Sequence, residues 1–359
     1  MPRLATALVL RAYTHDRLLP LLLRECRSLD LAINELRWLR DRALRISELR
    51  STWRRRGLRG AAVGWRGLLR TMCLSRSRGM PLQYILGDQP FGNLDIKCAR
   101  GVLIPRHETE AITIHTSELI LKRILRSRMR NSSDPLRILD LCTGTGCIPL
   151  LLHSLLSPHF SQLSIVGVDI SDKAVKLAKE NIHRNVRLGN LSQRALEDVI
   201  FRRGNVFELS QNGSSTLRDA FGFTFENTTA TGPWCDVLVS NPPYVSSREY
   251  HDGTTSRSVR MFEPKLALVP PKDVPPYTVE TSHNWHQDLF YSHIAGLILD
   301  SRVKLAVLEC ANRLQANRVA ALCRGVLSEH TRVRQVAVDV WSVTGADTDP
   351  WAVIIGAGL

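Results

Sequence analysis

Long apolar runs, paired cysteines and a secretory signal are all missing from this sequence. No apolar stretch approaches the roughly 20 residues that a transmembrane helix requires, which argues against a membrane protein. None of the eight cysteines forms a Cys-x-x-Cys pair, so we expect no metal site, and several lie in apolar stretches typical of buried, reduced thiols. At 359 residues, 44% hydrophobic and 23% charged, the chain has the composition of a soluble globular protein of one or two domains.

Lysine is absent before Lys97, yet the N-terminal region is strongly basic. Residues 1–60 contain 14 Arg against 6 Asp and Glu, a balance of +8 within the net charge of +14. No acidic residue precedes Asp16, and the stretch before it is amphipathic, as in mitochondrial presequences. We therefore expect residues 1–15 to direct the protein to the mitochondrial matrix, with a cytoplasmic protein that begins with an ordinary helix as the alternative. The basic charge also suits RNA, a ribosome or an acidic partner.

The spacing of apolar residues divides the rest of the chain into three parts. Residues 16–80 carry apolar residues at helical spacing with arginines on the other face, which predicts a small helical domain. Residues 81–105 alternate in part and contain turn glycines, which predicts a β-hairpin linker. Residues 106–359 begin with a helix and then alternate between strands and helices, which predicts a parallel sheet. Two stretches, 209–233 and 270–286, are rich in small polar residues or in Pro and His and predict surface insertions without chemistry.

The predicted strands define an α/β fold class. Five of them precede the C-terminal pair: 136–141, 164–169, 199–207, a run ending at Asn241, and 304–310. The last two, near 333–341 and 351–356, are joined by a turn too short for a crossover helix, so they must be antiparallel. A mostly parallel seven-stranded sheet with a terminal antiparallel hairpin is the plan of class I, Rossmann-like methyltransferases.

A glycine turn follows the first of these strands, in the segment 140–148 (DLCTGTGCI). Gly144 and Gly146 allow the backbone to approach a ligand closely. Asp169 ends the next strand, where a carboxylate can accept both ribose hydroxyls of an adenosine cofactor. Pro149 replaces the third glycine of the dinucleotide fingerprint, which favours S-adenosylmethionine over NAD.

Two residues near this turn have simpler alternative explanations. Asp169 could cap the helix that follows it, although Ser171 suits that position better. Asn205, which we expect at the end of the third strand, could face the adenine of a cofactor or lie in a plain turn.

The tetrapeptide Asn241-Pro242-Pro243-Tyr244 follows the apolar run 235–240 and carries the predicted chemistry. Two prolines give a rigid turn and leave acceptors behind. The side-chain oxygen of Asn241 and the carbonyl of Pro242 would grip both hydrogens of a planar –NH2 group, and Tyr244 would pack on its plane or face a sulfonium. Methyl transfer to such a group needs neither a metal nor a strong general base. The clamp fits an amide and the exocyclic amine of adenine equally, and a purely structural turn is the third interpretation.

Several blocks of the sequence, in order, resemble the HemK/PrmC family, the glutamine methyltransferases of translation release factors. They are 81–87 (PLQYILG), Phe91-Gly92, 102–110 (VLIPRHETE), 140–147 (DLCTGTGC), Val168-Asp169, the tetrapeptide 241–244 and 262–268 (FEPKLAL). The resemblance extends over residues 20–359 and includes the helical domain. The arginine-rich N-terminus and the insertions are similar to those of a fungal mitochondrial form. Departures are Cys142 and Asn205, where the family usually has Gly and Asp, and Glu309-Cys-Ala311 in place of Glu-Ile-Gly.

The resemblance implies a substrate and a set of contacts. The substrate is the glutamine of the Gly-Gly-Gln motif of a release factor, recognised with the help of the helical domain. We expect the methyl donor S-adenosylmethionine to be bound by Cys142, Thr143, Gly144, Thr145, Gly146, Asp169, Asn205, Val206 and Asn241. The substrate is expected at Asn241, Pro242, Pro243 and Tyr244, with Arg106, Glu108 and Glu110 closing over the pocket or serving as structural charges.

Two other functions remain open at this point. The first is a nucleic-acid amine methyltransferase, which the basic charge and the shared tetrapeptide allow but for which no target-recognition domain is evident. The second is a non-catalytic ribosome- or RNA-binding protein that has kept the fold. The family resemblance instead implies a monomer that binds a protein substrate and makes no direct contact with nucleic acid or membrane.

Overall fold

The computed structural model describes residues 3–55, 64–125, 136–211, 235–275, 277, 286–301, 303–330, 336–346 and 349–357. The chain divides into two compact units, of which the first contains Met1–Asp88 with Thr255–Glu263 and the second contains Gln89–Thr254 with Pro264–Leu359. In the part of the chain that is described, no helix is both long and apolar enough to cross a membrane.

The first unit is a helical bundle. Its helices are α1 (Thr6–His15), α2 (Leu19–Cys26), α3 (Leu29–Arg55), α4 (Trp65–Ser77), α5 (Leu82–Leu86) and the short helix Arg257–Phe262. Leucines from α2, α3 and α4 form its apolar core, and Glu35 joins α3 to α4 by accepting two hydrogen bonds from the Arg76 guanidinium at 2.8 and 2.9 Å. Ala12 of α1 is fully buried in the same core. Residues of the segment predicted to be a targeting sequence therefore pack within the bundle, and the targeting role stays a prediction.

The second unit begins with a two-stranded hairpin, β1 (Asp88–Phe91) and β2 (Leu94–Lys97). It continues with α6 (His107–Ile120) and a single π-helical turn, Leu121–Leu125. The paired part of the hairpin is thus shorter than the predicted linker 81–105, because α5 occupies its beginning and an irregular segment its end.

The main sheet has seven strands: β3 (Leu136–Leu141), β4 (Leu163–Asp169), β5 (Val199–Arg203), β6 (Val237–Ser240), β7 (Leu305–Cys310), β8 (Val336–Ser342) and β9 (Trp351–Ala357). Their order is β5-β4-β3-β6-β7-β9-β8. Strands β3 to β7 pair in parallel, and β9 pairs antiparallel with both β7 and β8. The predicted parallel sheet with a terminal antiparallel hairpin is confirmed.

Helices cover both faces of this sheet. The remaining ones are α7 (Cys147–Leu156), α8 (Asp172–Leu188), α9 (Ala195–Asp198), α10 (Val206–Gln211), α11 (Ser247–Asp252), α12 (Leu289–Ser301) and α13 (Arg313–His330), with a 3₁₀ turn at Lys265–Ala267. One apolar core joins α10, α12 and α13 to the sheet, and the other joins α6, α7, α8 and the hairpin. Alternate residues of each strand serve the two cores, which explains the nearly continuous apolar strands of the sequence.

Two of the sequence-based boundaries were wrong around residue 205. The third strand ends at Arg203 rather than Phe207, because the side-chain oxygen of Asn205 accepts a hydrogen bond from the Phe207 amide at 3.1 Å and starts α10. The predicted insertion 209–233 begins inside that helix, where Leu209 is buried in the apolar core. Its remainder from 212 lies outside the described residues.

Gly146 allows the glycine turn to pack against the sheet. It precedes α7 with φ +78°, and a Cβ atom at this position would lie 2.5 Å from the Phe201 ring and 2.9 Å from the Ala178 Cβ. Gly189 has almost the same backbone angle, φ +77°, but a Cβ atom added there would have no described atom within 4 Å. Substitution of each glycine by alanine therefore separates two contributions to the free energy of unfolding, the strain of the backbone conformation and the overpacking of the core.

We predict that Gly146→Ala lowers the free energy of unfolding by roughly 3 kcal/mol, since a left-handed alanine and an overfilled core each cost about 1–3 kcal/mol. Gly189→Ala should cost only about 1 kcal/mol, because the backbone effect acts there alone. Urea unfolding followed by circular dichroism measures both values. Equal losses in the two variants would contradict the packing role of Gly146.

Candidate active site

Four parallel strands end within two residues of one another on one edge of the sheet. Their register places in one row, in the order β4, β3, β6 and β7, the residues Val168, Leu141, Ser240 and Leu308. The next residues along these strands are Asp169, Cys142, Asn241 and Glu309. Because neighbouring strands lie about 4.8 Å apart, this second row extends over roughly 14 Å. Residues distant in sequence are thereby brought to one edge.

A cavity of about 300 Å³ opens over this edge. Ten of the residues predicted from the sequence line it: Arg106, Cys142, Thr143, Gly144, Thr145, Asp169, Asn205, Val206, Asn241 and Pro243. Five others lie outside its lining: Glu108, Glu110, Gly146, Pro242 and Tyr244. The volume lies at the lower end of the range for small-molecule pockets.

Asp169 holds the glycine turn in place. One of its carboxylate oxygens accepts a hydrogen bond from the Gly144 amide, and the other accepts one from the Ser171 amide, each at 2.9 Å. Burial raises the pKa of Asp169, and these two backbone hydrogen bonds oppose the shift. The helix cap is Ser171, whose hydroxyl accepts from the Ala174 amide. Each oxygen of Asp169 retains a lone pair, so the carboxylate can still accept ribose hydroxyls.

The glycine turn presents an open backbone to the cavity. Gly144 has φ +55°, and no described atom lies within 4 Å of where its Cβ would be, so a side chain there would enter the cavity. Cys142, at φ +62°, takes the left-handed conformation without being glycine, at the position where the resembled family has glycine. The cavity thus combines an exposed stretch of backbone, a carboxylate on the neighbouring strand and apolar walls. This combination suits a cofactor that contains adenosine. The contacts of the individual residues with that cofactor stay predictions.

Asn205 is engaged locally, although it lines the cavity. Besides starting α10, its side-chain nitrogen donates to Glu208 at 3.3 Å. Val206 is buried beside it and contributes to the apolar wall.

Asn241 is held by a residue that the sequence analysis did not single out. Its side-chain nitrogen donates to the Thr109 hydroxyl at 3.0 Å, and that hydroxyl donates to Glu309 Oε1, also at 3.0 Å. The Tyr244 hydroxyl reaches the same Glu309 oxygen at 3.5 Å. Tyr244 itself packs against the apolar core that contains α12 and α13.

Thr109 lies in the block 102–110 that resembles the family, but the sequence analysis selected only the charged residues of that block. In α6, Thr109 shares a buried stripe with Ile112, Thr113, Thr116 and Ile120. Neighbouring helix positions diverge by about 100°, so Glu108 and Glu110 point to either side of this stripe. The Glu108 carboxylate lies 3.2 Å from Nδ1 of the adjacent His107.

Glu309 is a carboxyl group buried in the floor of the site. Burial raises its pKa from 4.5 to about 7, while the hydrogen bond from Thr109 acts in the opposite direction and Glu108 adds to the rise. The sequence marked Glu309 only as part of a departing family block; its chemical environment required the fold.

The segment between the hairpin and α6 forms one wall of the cavity, a role that its sequence did not reveal. Residues 101–105 line the cavity, although we expected only a linker there. Buried Asn181 of α8 accepts from the Lys97 amide at 2.7 Å and donates to the Lys97 and Thr145 carbonyls at 3.3 and 3.0 Å. One side chain thus connects the end of the hairpin with the glycine turn.

The predicted insertion 270–286 also contributes to the cavity, which corrects its assignment as a surface feature. Pro271 and Val274 line the cavity. The segment is fixed to α12, since His293 hydrogen-bonds the Pro275 carbonyl at 3.0 Å and the Tyr277 amide donates to Ser292 at 3.3 Å. Residues 276 and 278–285 lie outside the described part. Among the described residues, no cluster of three or more potential metal ligands occurs.

Comparison with known proteins gives this site a class. A family model described as a methyltransferase domain matches residues 132–230. The mitochondrial MRF1 N(5)-glutamine methyltransferase MTQ1 of Saccharomyces cerevisiae is 34% identical over 270 residues, 75% of this chain and 68% of that protein. The probable MRF1 mitochondrial N(5)-glutamine methyltransferase mtq1 of Schizosaccharomyces pombe is 37% identical over 207 residues, and the release factor glutamine methyltransferase of Pasteurella multocida is 34% identical over 205 residues. Each of these two matches covers 57% of the relative, and they cover 57% and 56% of this chain.

The fold, the glycine turn and the similarity to known methyltransferases together define the protein as an S-adenosylmethionine-dependent methyltransferase. Within that class, the chain belongs to the family of release factor glutamine methyltransferases. The resemblance inferred from its sequence blocks is confirmed.

We predict a pH-dependent stability difference between the wild type and Glu309→Gln. Because burial raises the pKa of Glu309 to about 7, the folded protein keeps a proton that the unfolded chain loses near pH 4.5. The wild type should therefore lose up to roughly 3 kcal/mol relative to the variant as the pH rises from about 4.5 to 7, and the difference should level off above. Urea unfolding at stepped pH measures it, with the exposed Glu197→Gln as the matched control. A constant difference across this range would show that Glu309 ionises normally.

Proposed function

We propose that this protein methylates the side-chain amide nitrogen of the glutamine in the Gly-Gly-Gln motif of a mitochondrial release factor. One observation carries the proposal: Asn241, at the cavity edge one strand from the glycine turn, donates through its nitrogen to Thr109 and so leaves its oxygen as an acceptor. An amide –NH2 group needs acceptors of this kind. The names of the three relatives, all glutamine methyltransferases, support the same substrate.

The proposed chemistry depends on positioning. S-adenosylmethionine supplies an electrophilic methyl group on a sulfonium sulfur. The Asn241 oxygen and the Pro242 carbonyl would accept the two hydrogens of the glutamine amide, which raises electron density on its nitrogen and directs the lone pair toward the methyl group. The N–C bond would form as the C–S bond breaks, S-adenosylhomocysteine would leave, and the nitrogen would release one hydrogen as a proton to solvent. Pro243 and Arg106 line the cavity and are proposed substrate contacts. For Tyr244 we propose support of the turn through Glu309 rather than contact with the amide.

We propose the remaining roles from position alone. Asp169 and the turn 142–146 hold the adenosine and methionine parts of the donor, with Val206 and Asn205 at the adenine edge. Glu108 and Glu110 flank Thr109 on α6 and would contact the substrate protein from outside the cavity.

The mitochondrial matrix is the proposed location, supported by the mitochondrial relatives of the two yeasts. We also propose a monomer. Fractionation of cells that express the tagged protein tests the location, and absence of the protein from the matrix fraction would refute it. Sedimentation tests the second, and a dimer mass would refute it.

We predict that labelled S-adenosylmethionine transfers its methyl group to a recombinant mitochondrial release factor. A factor whose Gly-Gly-Gln glutamine is replaced by glutamate keeps the shape of the motif but has no amide, and should stay unlabelled. Label in both factors, or in neither, would refute the proposed substrate. Label in added RNA instead would favour a nucleic-acid methyltransferase.

We predict that a substitution at Asn241 lowers mainly kcat, whereas a substitution at Asp169 weakens mainly cofactor binding. Asn241→Ala should lower kcat by roughly a hundredfold or more, the usual loss when one preorganised hydrogen-bonding group is removed, and should change the Kd of S-adenosylmethionine much less. Asp169→Ala should instead weaken cofactor binding by about tenfold or more, because it removes the ribose acceptor and releases Gly144. Calorimetry and initial rates measure both quantities. Near-normal turnover by Asn241→Ala would exclude the amide clamp.

A further inference from the structure

Three elements that are far apart in sequence meet at the Thr109 hydroxyl. Thr109 lies in the first turn of α6, Asn241 follows β6, and Glu309 is in β7. The hydroxyl accepts from the Asn241 nitrogen and donates to Glu309 Oε1, both at 3.0 Å. Thr109 and Glu309 are each only 3% exposed. Water therefore has little access to replace either hydrogen bond.

The sheet explains why α6 supplies this hydroxyl. Side chains alternate between the two faces of a strand, so the row containing Asn241 and Glu309 faces opposite to Ser240 and Leu308. That opposite face is the one covered by α6, whose Ile112 and Ile120 belong to the core on this side. Thr109, one turn before Ile112, is thus placed directly at the strand ends.

The direction of the two hydrogen bonds fixes the orientation of the Asn241 amide. A hydroxyl has one hydrogen, and here it is donated to Oε1 of Glu309. The other oxygen, Oε2, has no hydrogen-bond partner among the described residues, so a proton carried there leaves Oε1 as an acceptor. The oxygen of Thr109 can then only accept, so the Asn241 group facing it must be the –NH2 end. The Asn241 carbonyl oxygen is turned away from Thr109 as a consequence. With the amide rotated by 180°, an –NH2 group would stand where an acceptor is required.

We propose that Thr109, anchored by the buried carboxyl group of Glu309, is the positioning residue that keeps the Asn241 oxygen presented to the substrate amide. This inference rests on the proposed function, since it assigns how the clamp of that reaction is oriented. Thr109 acts through Asn241 and forms no bond with the reacting nitrogen. The hydrogen-bond chain also polarises the Asn241 amide, which makes its oxygen a stronger acceptor.

The decisive comparison is between Thr109→Val and Thr109→Ser. Valine keeps the shape and removes the hydroxyl, so kcat should fall roughly ten- to a hundredfold, the range expected for the loss of one or two buried hydrogen bonds, with KM for S-adenosylmethionine within about twofold of the wild type. Serine retains the hydroxyl and should restore kcat to within about threefold. Thr116→Val is the matched control, because Thr116 is also buried in α6 and its hydroxyl donates to the Ile112 carbonyl within the same helix. Thr109→Val and Thr116→Val with the same kcat would overturn the proposal.

A double variant tests whether Thr109 acts through Asn241. If it does, Thr109→Val should cause no further loss of kcat in the Asn241→Ala background, whereas a merely structural effect should be additive. Glu309→Gln removes the carboxylate and can turn an –NH2 donor toward the Thr109 hydroxyl, so it should also lower kcat severalfold. Wild-type kcat in Glu309→Gln would remove Glu309 from the proposal.

One readout does not require the proposed reaction. In protein labelled with ¹⁵N at asparagine, the side-chain signals of Asn241 are identified by their loss in Asn241→Ala. Their positions and hydrogen-exchange rates should change in Thr109→Val and Glu309→Gln but remain in Thr116→Val. Unchanged signals in Thr109→Val would overturn the orientation by Thr109 even in an enzyme that failed to label the release factor, and labelling by the wild type with unchanged signals would leave the proposed function intact.

Discussion

The parallel register of β4, β3, β6 and β7 is the constraint on which the site depends. Because these strands are matched residue by residue and share a common row near their carboxyl ends, Asp169, Cys142, Asn241 and Glu309 follow one another across the edge of the sheet. A slip of one residue in any pair would turn that strand's terminal side chain to the other face. Asp169 and Asn241, the proposed contacts of the cofactor and the substrate, therefore have a separation that the strand register sets.

Burial then determines how the polar groups at this edge must behave. Asp140 beneath the turn is fully buried, and burial raises its pKa well above the usual range, as it raises that of Glu309. A carboxyl group in such a place must find hydrogen-bond donors or remain protonated. Asp169 finds donors in the Gly144 and Ser171 amides, and Glu309 finds them in Thr109 and Tyr244. Both oxygens of Asp140 and Oε2 of Glu309 are buried without a hydrogen-bond partner among the described residues, which favours the protonated form of these two carboxyl groups.

Sequence reasoning succeeded where one residue type has one dominant physical use. Apolar runs gave the strands, and the short final link required an antiparallel pair. It failed where the signal is a threonine. Thr109 is neither apolar nor charged, so periodicity ignores it and charge directs attention to Glu108 and Glu110; only the phase of α6 against the sheet reveals it. The cavity wall at 101–105 and at Pro271 was missed because an irregular segment carries no periodicity from which its position could be inferred.

The amide nitrogen of glutamine is a poor nucleophile, which explains why the groups that orient it lie in buried parts of the fold. The lone pair of an amide nitrogen is delocalised, so little rate can come from a base that removes a proton, and much must come from holding the group in a reactive geometry. An asparagine clamp is suited to this task only if its two ends are distinguished, since they have nearly the same shape and opposite hydrogen-bonding character. A backbone carbonyl such as that of Pro242 has no such ambiguity. In the proposed clamp, Asn241 is the member that could rotate into a wrong state, and its side chain is the one that contacts a buried hydroxyl from another element.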